Sequence, residues 1–197
     1  MKILITGASG LLGLNAALEL SSSHLIIGQD RGKLKKAPFH VIHTDLLQPN
    51  AIGPLLQEAQ PDWVINCVAL ANHEACEADP KLAKQLNTNL PRELAQNCKN
   101  RGIRLLHIST DGVFDGEKEG FYTEDDLPNP INIYAQTKLE GEQAVLETDP
   151  KALVARVNFY GWSLSGHRSI AEFFPDFCQN LSPKNKHTDL QQITLFS

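Results

Sequence analysis

Short apolar runs alternate with helical patterns along this chain. Lys2-Ile3-Leu4-Ile5-Thr6 is apolar and β-branched and predicts a buried strand. Leu14 to Leu20 places Leu and Ala at helical core spacing. Leu25-Ile26-Ile27-Gly28 predicts a second strand ending at Asp30-Arg31, and Val41-Ile42-His43 a third. Pro49 to Gln60 predicts a helix, and Asp62 to Ala69 a fourth strand that is apolar nearly throughout. Pro80 to Asn100 predicts a long helix, with Leu82, Leu86, Leu90 and Leu94 four apart and Gly102 as its stop. Ile103 to Ile108 predicts the fifth strand. A loop rich in acids, Gly and Pro (112–130) leads to a helix reaching about Glu147, and Ala152 to Val157 predicts the sixth strand. Such alternation predicts an α/β fold, a doubly wound parallel sheet whose ligands bind at the carboxyl ends of the strands.

Glycines punctuate the first strand-to-helix connection as Gly7-x-x-Gly10-x-x-Gly13. Such a loop turns tightly, lets backbone approach a pyrophosphate, and offers it the N–H groups of a helix start. Asp30 lies 23 positions after Gly7, about where an acid meets an adenosine ribose. Arg31 beside it suits a 2′-phosphate instead, so the two residues argue for opposite cofactors.

Two further stretches carry chemistry. Ser109-Thr110-Asp111 sets hydroxyls and an acid at the end of the fifth strand. Tyr134 and Lys138 stand one helical turn apart on one face. An ammonium beside a phenol lowers its pKa, so such a Tyr exchanges a proton with a carbonyl or alcohol oxygen near neutral pH.

Composition narrows the class. The 197 residues suffice for one full domain, and 42% hydrophobic and 21% charged residues are ordinary for a globular protein. With a net charge of -5 and no basic cluster beyond Arg31 to Lys36, no nucleic-acid face is expected. No apolar run reaches the about 18 residues that span a bilayer, and no signal peptide is expected ahead of the strand at Lys2 to Thr6. Cys67, Cys76, Cys98 and Cys178 have no metal-like or disulfide spacing, which fits a reduced, cytoplasmic location. The seven histidines form no ligand set; His40, His43 and His107 fall in strands and Trp63 in the core.

In order, the glycine loop, Ser109-Thr110-Asp111, Tyr134-x-x-x-Lys138 and Arg156-Val157-Asn158-Phe159-Tyr160-Gly161 resemble an extended short-chain dehydrogenase/reductase. Ile108 to Gly116, Pro130 to Glu142 and Asn66 to Pro80 resemble more closely the dTDP-4-dehydrorhamnose reductase family. The resemblance covers residues 1 to about 161. It implies a Rossmann-type NAD(P)-binding fold, a cofactor that is NADP(H) or NAD(H), and a nucleotide-sugar substrate whose ketone is reduced. Carried over, Tyr134 protonates the new alkoxide, and Lys138 lowers the Tyr pKa and holds the nicotinamide ribose. Thr110 bonds the substrate carbonyl, and Asn87 supports a proton-relay water. The cofactor would lie along Gly7, Gly10, Leu11, Leu12, Gly13, Asp30, Arg31, Asp45, Leu46, Ala69, Leu70 and Ala71. Asp111 and Phe159 would face the substrate. Gly112 and Ala135 depart from the family's usual Tyr and Gly; the first removes an aromatic wall near the substrate, which bears on the identity of the sugar more than on the reaction.

The expected organisation is a dinucleotide-binding domain over 1–161 and, over 162–197, the start of a truncated substrate lobe. There a helix is expected over Ala171 to Asn180, and Trp162 is left between core and substrate. Phe173, Phe174, Phe177 and Phe196 would leave an apolar patch for a homo-oligomer or a protein partner to cover. A second reading stays open. The regulatory β subunit of methionine adenosyltransferase resembles this family, so a non-catalytic dinucleotide-binding role fits the same motifs.

Overall fold

The computed structural model describes residues 1–34 and 36–159. Within them six strands form one sheet: β1 (Lys2–Thr6), β2 (Leu25–Asp30), β3 (His40–His43), β4 (Trp63–Asn66), β5 (Arg104–Thr110) and β6 (Leu153–Val157). Every neighbouring pair is parallel and the order is β3-β2-β1-β4-β5-β6. This is the doubly wound Rossmann-type order. The direction of growth reverses between β1 and β4, so a crevice opens there at the carboxyl ends of the strands.

The helices are α1 (Leu11–Leu20), α2 (Ile52–Ala59), α3 (His73–Ala78), α4 (Pro80–Lys84), α5 (Leu90–Arg101) and α6 (Ile133–Thr148). Successive strand residues face opposite sides. Leu4, Val64 and Leu105 therefore pack under α2, α5 and Val145 of α6, while Ile3, Ile5 and Ile26 pack against Ala17 of α1. Each fully buried Leu of this kind contributes roughly 1.5–3 kcal/mol. Trp63 packs against the second cluster, with the Arg104 guanidinium 4.5 Å over its ring.

Several elements differ from the sequence pattern for local reasons. The first helix starts at Leu11, not Leu14, because Gly10 already serves as its cap. The fourth strand ends at Asn66 because the Asn66 Oδ1 accepts the Val68 N–H at 3.2 Å and curls the chain out of the ladder. The short helix α3, which the apolar pattern does not show, rests on polar caps: Asn72 Oδ1 accepts the Ala75 N–H. Asp79 then caps α4, with Pro80 at its first position. The long helix expected over Pro80 to Asn100 is interrupted by a π-helical turn, Gln85–Asn89. Pro91 has no N–H to give the Asn87 carbonyl four residues back, so the turn widens there.

Among the described residues, no helix is long and apolar enough to cross a membrane, and no group of three His, Cys, Asp or Glu is placed to hold a metal. Cys67, Cys76 and Cys98 are free thiols. The expected Ala171–Asn180 helix, Trp162, Cys178 and the phenylalanines from Phe173 onward lie outside the described residues.

Candidate active site

The glycine loop shapes one end of the crevice. Gly7 has φ +69°, a left-handed conformation that favours glycine, and its N–H donates to Gln29 Oε1 at 3.1 Å. The Gly10 N–H returns to the Gly7 carbonyl at 2.8 Å. A Cβ at Gly13 would overlap that same carbonyl oxygen, so α1 lies this close only with glycine there. No side chain caps α1. The first N–H groups of a helix lack partners within it and carry the positive end of its dipole. Gly7, Ser9 and Gly10 line the cleft, so this end suits a phosphate.

The remaining walls are Gln29, Asp30, Arg31, Lys33, Asp45, Leu46, Leu47, Cys67, Val68, Ala69, Leu86 and Leu90. Gly7, Gly10, Asp30, Arg31, Asp45, Leu46 and Ala69 were expected at a cofactor and meet here. Leu11, Leu12, Gly13, Leu70, Ala71, Tyr134 and Lys138 are not walls of this cleft. The Leu12 side chain packs with Ala155 and Val157.

Asp30 is engaged locally. Its side chain is 1% exposed. Oδ1 accepts the Gly32 N–H at 2.9 Å and lies 2.6 Å from His43 Nδ1. Oδ2 accepts the Lys33 and Leu34 N–H groups at 2.7 and 2.9 Å. Burial alone would raise its pKa, but the N–H donors and His43 outweigh it and hold the carboxyl below its ordinary value. With four donors on two oxygens, this side chain folds the turn 30–34 and has little left for a ribose. Arg31 and Lys33 stand exposed at the cleft.

The second part of the site is α6 laid against the end of β5. Asn132 caps α6 by accepting the Ala135 N–H at 2.8 Å, and Glu77 of α3 accepts the Ile133 N–H at 2.9 Å. Tyr134 follows at once, with the His73 ring stacked on it at 4.9 Å between centroids and 25° between planes. The Tyr134 pKa is raised above its ordinary value. Burial is the main cause, the hydrogen-bonded Thr110 side chain opposes it, and Cys76 and Asp111 add to it. Lys138 was expected to lower this pKa. The residue is 2% exposed, and its ammonium is drawn instead to the Ile108 carbonyl at 2.6 Å. Burial pushes Lys138 down to about 8, against Glu142 and Cys67, which favour its charged form.

One turn further on, Glu142 accepts the Ser109 hydroxyl and binds Arg156, with Nε 3.1 Å from each carboxylate oxygen and Nη2 at 2.8 Å. Tyr134, Lys138 and Glu142, spaced four apart on α6, thus meet Thr110, Ile108 and Ser109 of β5. Arg156 also lies 5.1 Å over the Phe114 ring.

Asn87 ties the two parts together. Its Oδ1 accepts the Leu70 N–H at 2.8 Å, and its Nδ2 donates to the Leu70 carbonyl at 3.2 Å and to Thr137 Oγ1 at 3.1 Å. Thr88 donates to the Thr137 carbonyl at 2.9 Å. The widened turn therefore grips the Leu70 loop on one side and the residue before Lys138 on the other. α6 comes so close that a Cβ at Gly141 would overlap the Asn87 carbonyl oxygen. Gly141→Ala should cost about 1–3 kcal/mol, read as a lower urea midpoint at unchanged slope. An unchanged midpoint would mean that α6 can lift off the turn freely.

A family model, the RmlD substrate binding domain, matches residues 1–174. The chain belongs to this family. The probable low-salt glycan biosynthesis reductase Agl14 of Haloferax volcanii is 39% identical over 163 residues, which are 82% of this chain and 54% of that protein. The methionine adenosyltransferase 2 subunit beta of Rattus norvegicus is 36% identical over 156 residues, 79% of this chain and 46% of that protein. This RmlD-family chain thus spans about half the length of these two relatives. The dTDP-4-dehydrorhamnose reductase of Bacillus anthracis, solved in complex with NADP, has a TM-score of 0.75 at 28% identity and covers 91% of this chain and 61% of that one.

Within the RmlD-family chain, Asp111 is exposed at the mouth of the site, and Thr110 donates to its Oδ1 at 3.3 Å. Phe159, expected to face substrate, is half-buried and packs with the Leu12, Ala155 and Val157 cluster. The sequence gives no role to His73, Glu77, Gln29 or Glu142, although Glu77 and Glu142 lie in stretches that carry the family resemblance. Gln29 had a signal, being a polar residue beside an apolar strand, and so had Glu142, four past Lys138. His73 and Glu77 lie on α3, which the apolar pattern does not reveal.

Proposed function

We propose that this chain is the dinucleotide-binding part of an NADPH-preferring reductase of a nucleotide-linked keto sugar, with residues 1–161 as the binding domain. The carrying observation is the convergence at one sheet edge of a phosphate-shaped glycine loop and the group Thr110, Tyr134 and Lys138. A bound nicotinamide cofactor supplies the hydride. Thr110 offers its hydroxyl to the sugar carbonyl. Tyr134, protonated well above neutral pH, donates the proton as that oxygen gains charge. Lys138 presents a buried cation near the cofactor ribose. The NADP complex of the Bacillus anthracis relative supports the cofactor class, and the names of the reductase relatives support the substrate class. Free thiols and the absence of a spanning helix among the described residues are consistent with a cytoplasmic setting.

The cofactor preference follows from Asp30. Its carboxylate is engaged by its own loop, while Arg31 and Lys33 are free to meet a 2′-phosphate. The double variant Arg31→Ala with Lys33→Ala should weaken NADPH about 10- to 100-fold and leave NADH within about twofold, since charged hydrogen bonds of this kind contribute about 1.5–3 kcal/mol. Fluorescence titration reads both, and equal losses would remove the preference. Adding a 4-keto dTDP sugar to the NADPH complex tests the reaction: oxidation of the cofactor is the expected result.

A second reading is favoured by the 36% identity to the methionine adenosyltransferase 2 subunit beta. There the cleft would bind a dinucleotide for regulation, and a partner rather than a sugar would cover the site. Tight NADPH binding without oxidation, together with partner binding that survives Tyr134→Phe, would point that way.

A further inference from the structure

We propose that His73 is a positioning residue for Tyr134, its stacked ring holding the phenol where the hydroxyl meets Thr110. The proposal rests on the reading of Tyr134 as proton donor. A Tyr in the first turn of a helix can otherwise swing outward to another side-chain rotamer. The His73 ring blocks that movement by covering one face of the phenol at 4.9 Å.

The stack belongs to a built contact between two helices. His73 and Glu77 lie four apart on one face of α3. Glu77 accepts the Ile133 N–H, and His73 covers the ring of the next residue, Tyr134. The α3 helix is itself anchored. Asn72 caps it at 2.7 Å, and the Cys76 thiol donates to the Leu70 carbonyl at 3.2 Å, the same carbonyl that Asn87 holds. Asn87 also holds Thr137 of α6, so both partners of the stack are referred to one clamp. His73 is exposed, and it makes this contact without being part of the core.

The test uses the full chain with His73→Ala and His73→Phe. An aromatic pair of this geometry corresponds to roughly 2- to 10-fold in rate, so His73→Ala should lower kcat by that factor. NADPH affinity and the sugar KM should stay within about twofold, because the contact acts on the acid and not on binding. His73→Phe should restore kcat. A second readout needs no turnover: the ultraviolet titration of the phenols, with Tyr134→Phe as the blank that isolates Tyr134 from Tyr122 and Tyr160. Thr110, Cys76 and Asp111 remain around the phenol in every variant. Losing the stack should let water reach it and bring its ionisation down toward the ordinary value, and His73→Phe should keep it high. The proposal is overturned if His73→Ala leaves that ionisation unmoved, if it leaves kcat at the wild-type level, or if His73→Phe restores neither. A wild-type chain without turnover would bear on the reductase reading and not on the stack, which the titration then decides by itself.

Discussion

Tyr134→Phe should lower turnover about 10²- to 10⁴-fold while leaving NADPH affinity within about twofold. The change removes one oxygen and keeps the ring. The ring is what His73 stacks on, so α3 and the start of α6 keep their geometry. The Asn87 grip on Thr137 and the Lys138 bond to the Ile108 carbonyl involve no atom of Tyr134's side chain. The walls of the glycine cleft are other residues, so the loss of one phenol oxygen should change NADPH affinity little. What disappears is the proton aimed at the position beside Thr110. Burial keeps that proton on the phenol through the physiological range, which suits a donor in the direction of reduction. Single-turnover oxidation of bound NADPH on adding the keto sugar separates this loss from any change in product release. Full turnover in the variant would end the assignment of Tyr134 as acid.

The sheet was readable from residue pattern because parallel strands buried on both faces leave continuous apolar runs, as in Lys2–Thr6 and Trp63–Asn66. The glycine loop was readable because Gly7 and Gly13 are demanded by backbone geometry that no other residue fits. What the pattern hid was polar. The helix α3 is short and set by Asn72 and Asp79, so it carries no apolar stripe, and with it went His73 and Glu77. The π-helical turn was signalled only by Pro91 inside an otherwise regular run of leucines. Asp30 sat where the spacing placed it, but spacing does not report which donors occupy a carboxylate; the turn that follows it engages both oxygens. Tyr134 and Lys138 share a helical face as their separation requires. The partner each takes is decided by β5, which lies 24 or more positions away in sequence, as for Thr110 and Tyr134.

Glu142→Gln should destabilise the fold by about 3 kcal/mol or more at neutral pH and move the alkaline limit of activity downward. Glu142 is 4% exposed and is the carboxylate that both Arg156 and Lys138 answer to. The amide keeps the size and part of the hydrogen bonding to Ser109, so the loss isolates charge. Of the two cations, Lys138 is the one whose burial favours giving up its proton. In the wild type Lys138 titrates at about 8, below its ordinary 10.5. Between these values the unfolded chain binds more protons than the folded one, so stability rises with pH across that window. Below about 8 both states are charged and the full burial cost of the ammonium is present. The same deprotonation removes the cation from the site, so kcat/KM for the wild type should fall as pH rises through about 8, with Tyr134 still protonated. Without the Glu142 charge Lys138 gives up its proton at still lower pH. The limb of the profile then shifts down, and the variant should recover part of its stability deficit toward alkaline pH. Urea melts at neutral pH and near pH 9, set beside the two rate profiles, read both effects. An alkaline limb at the same pH in both proteins would show that Glu142 does not hold the Lys138 charge, and that its role is confined to tying Ser109 and Arg156 to α6.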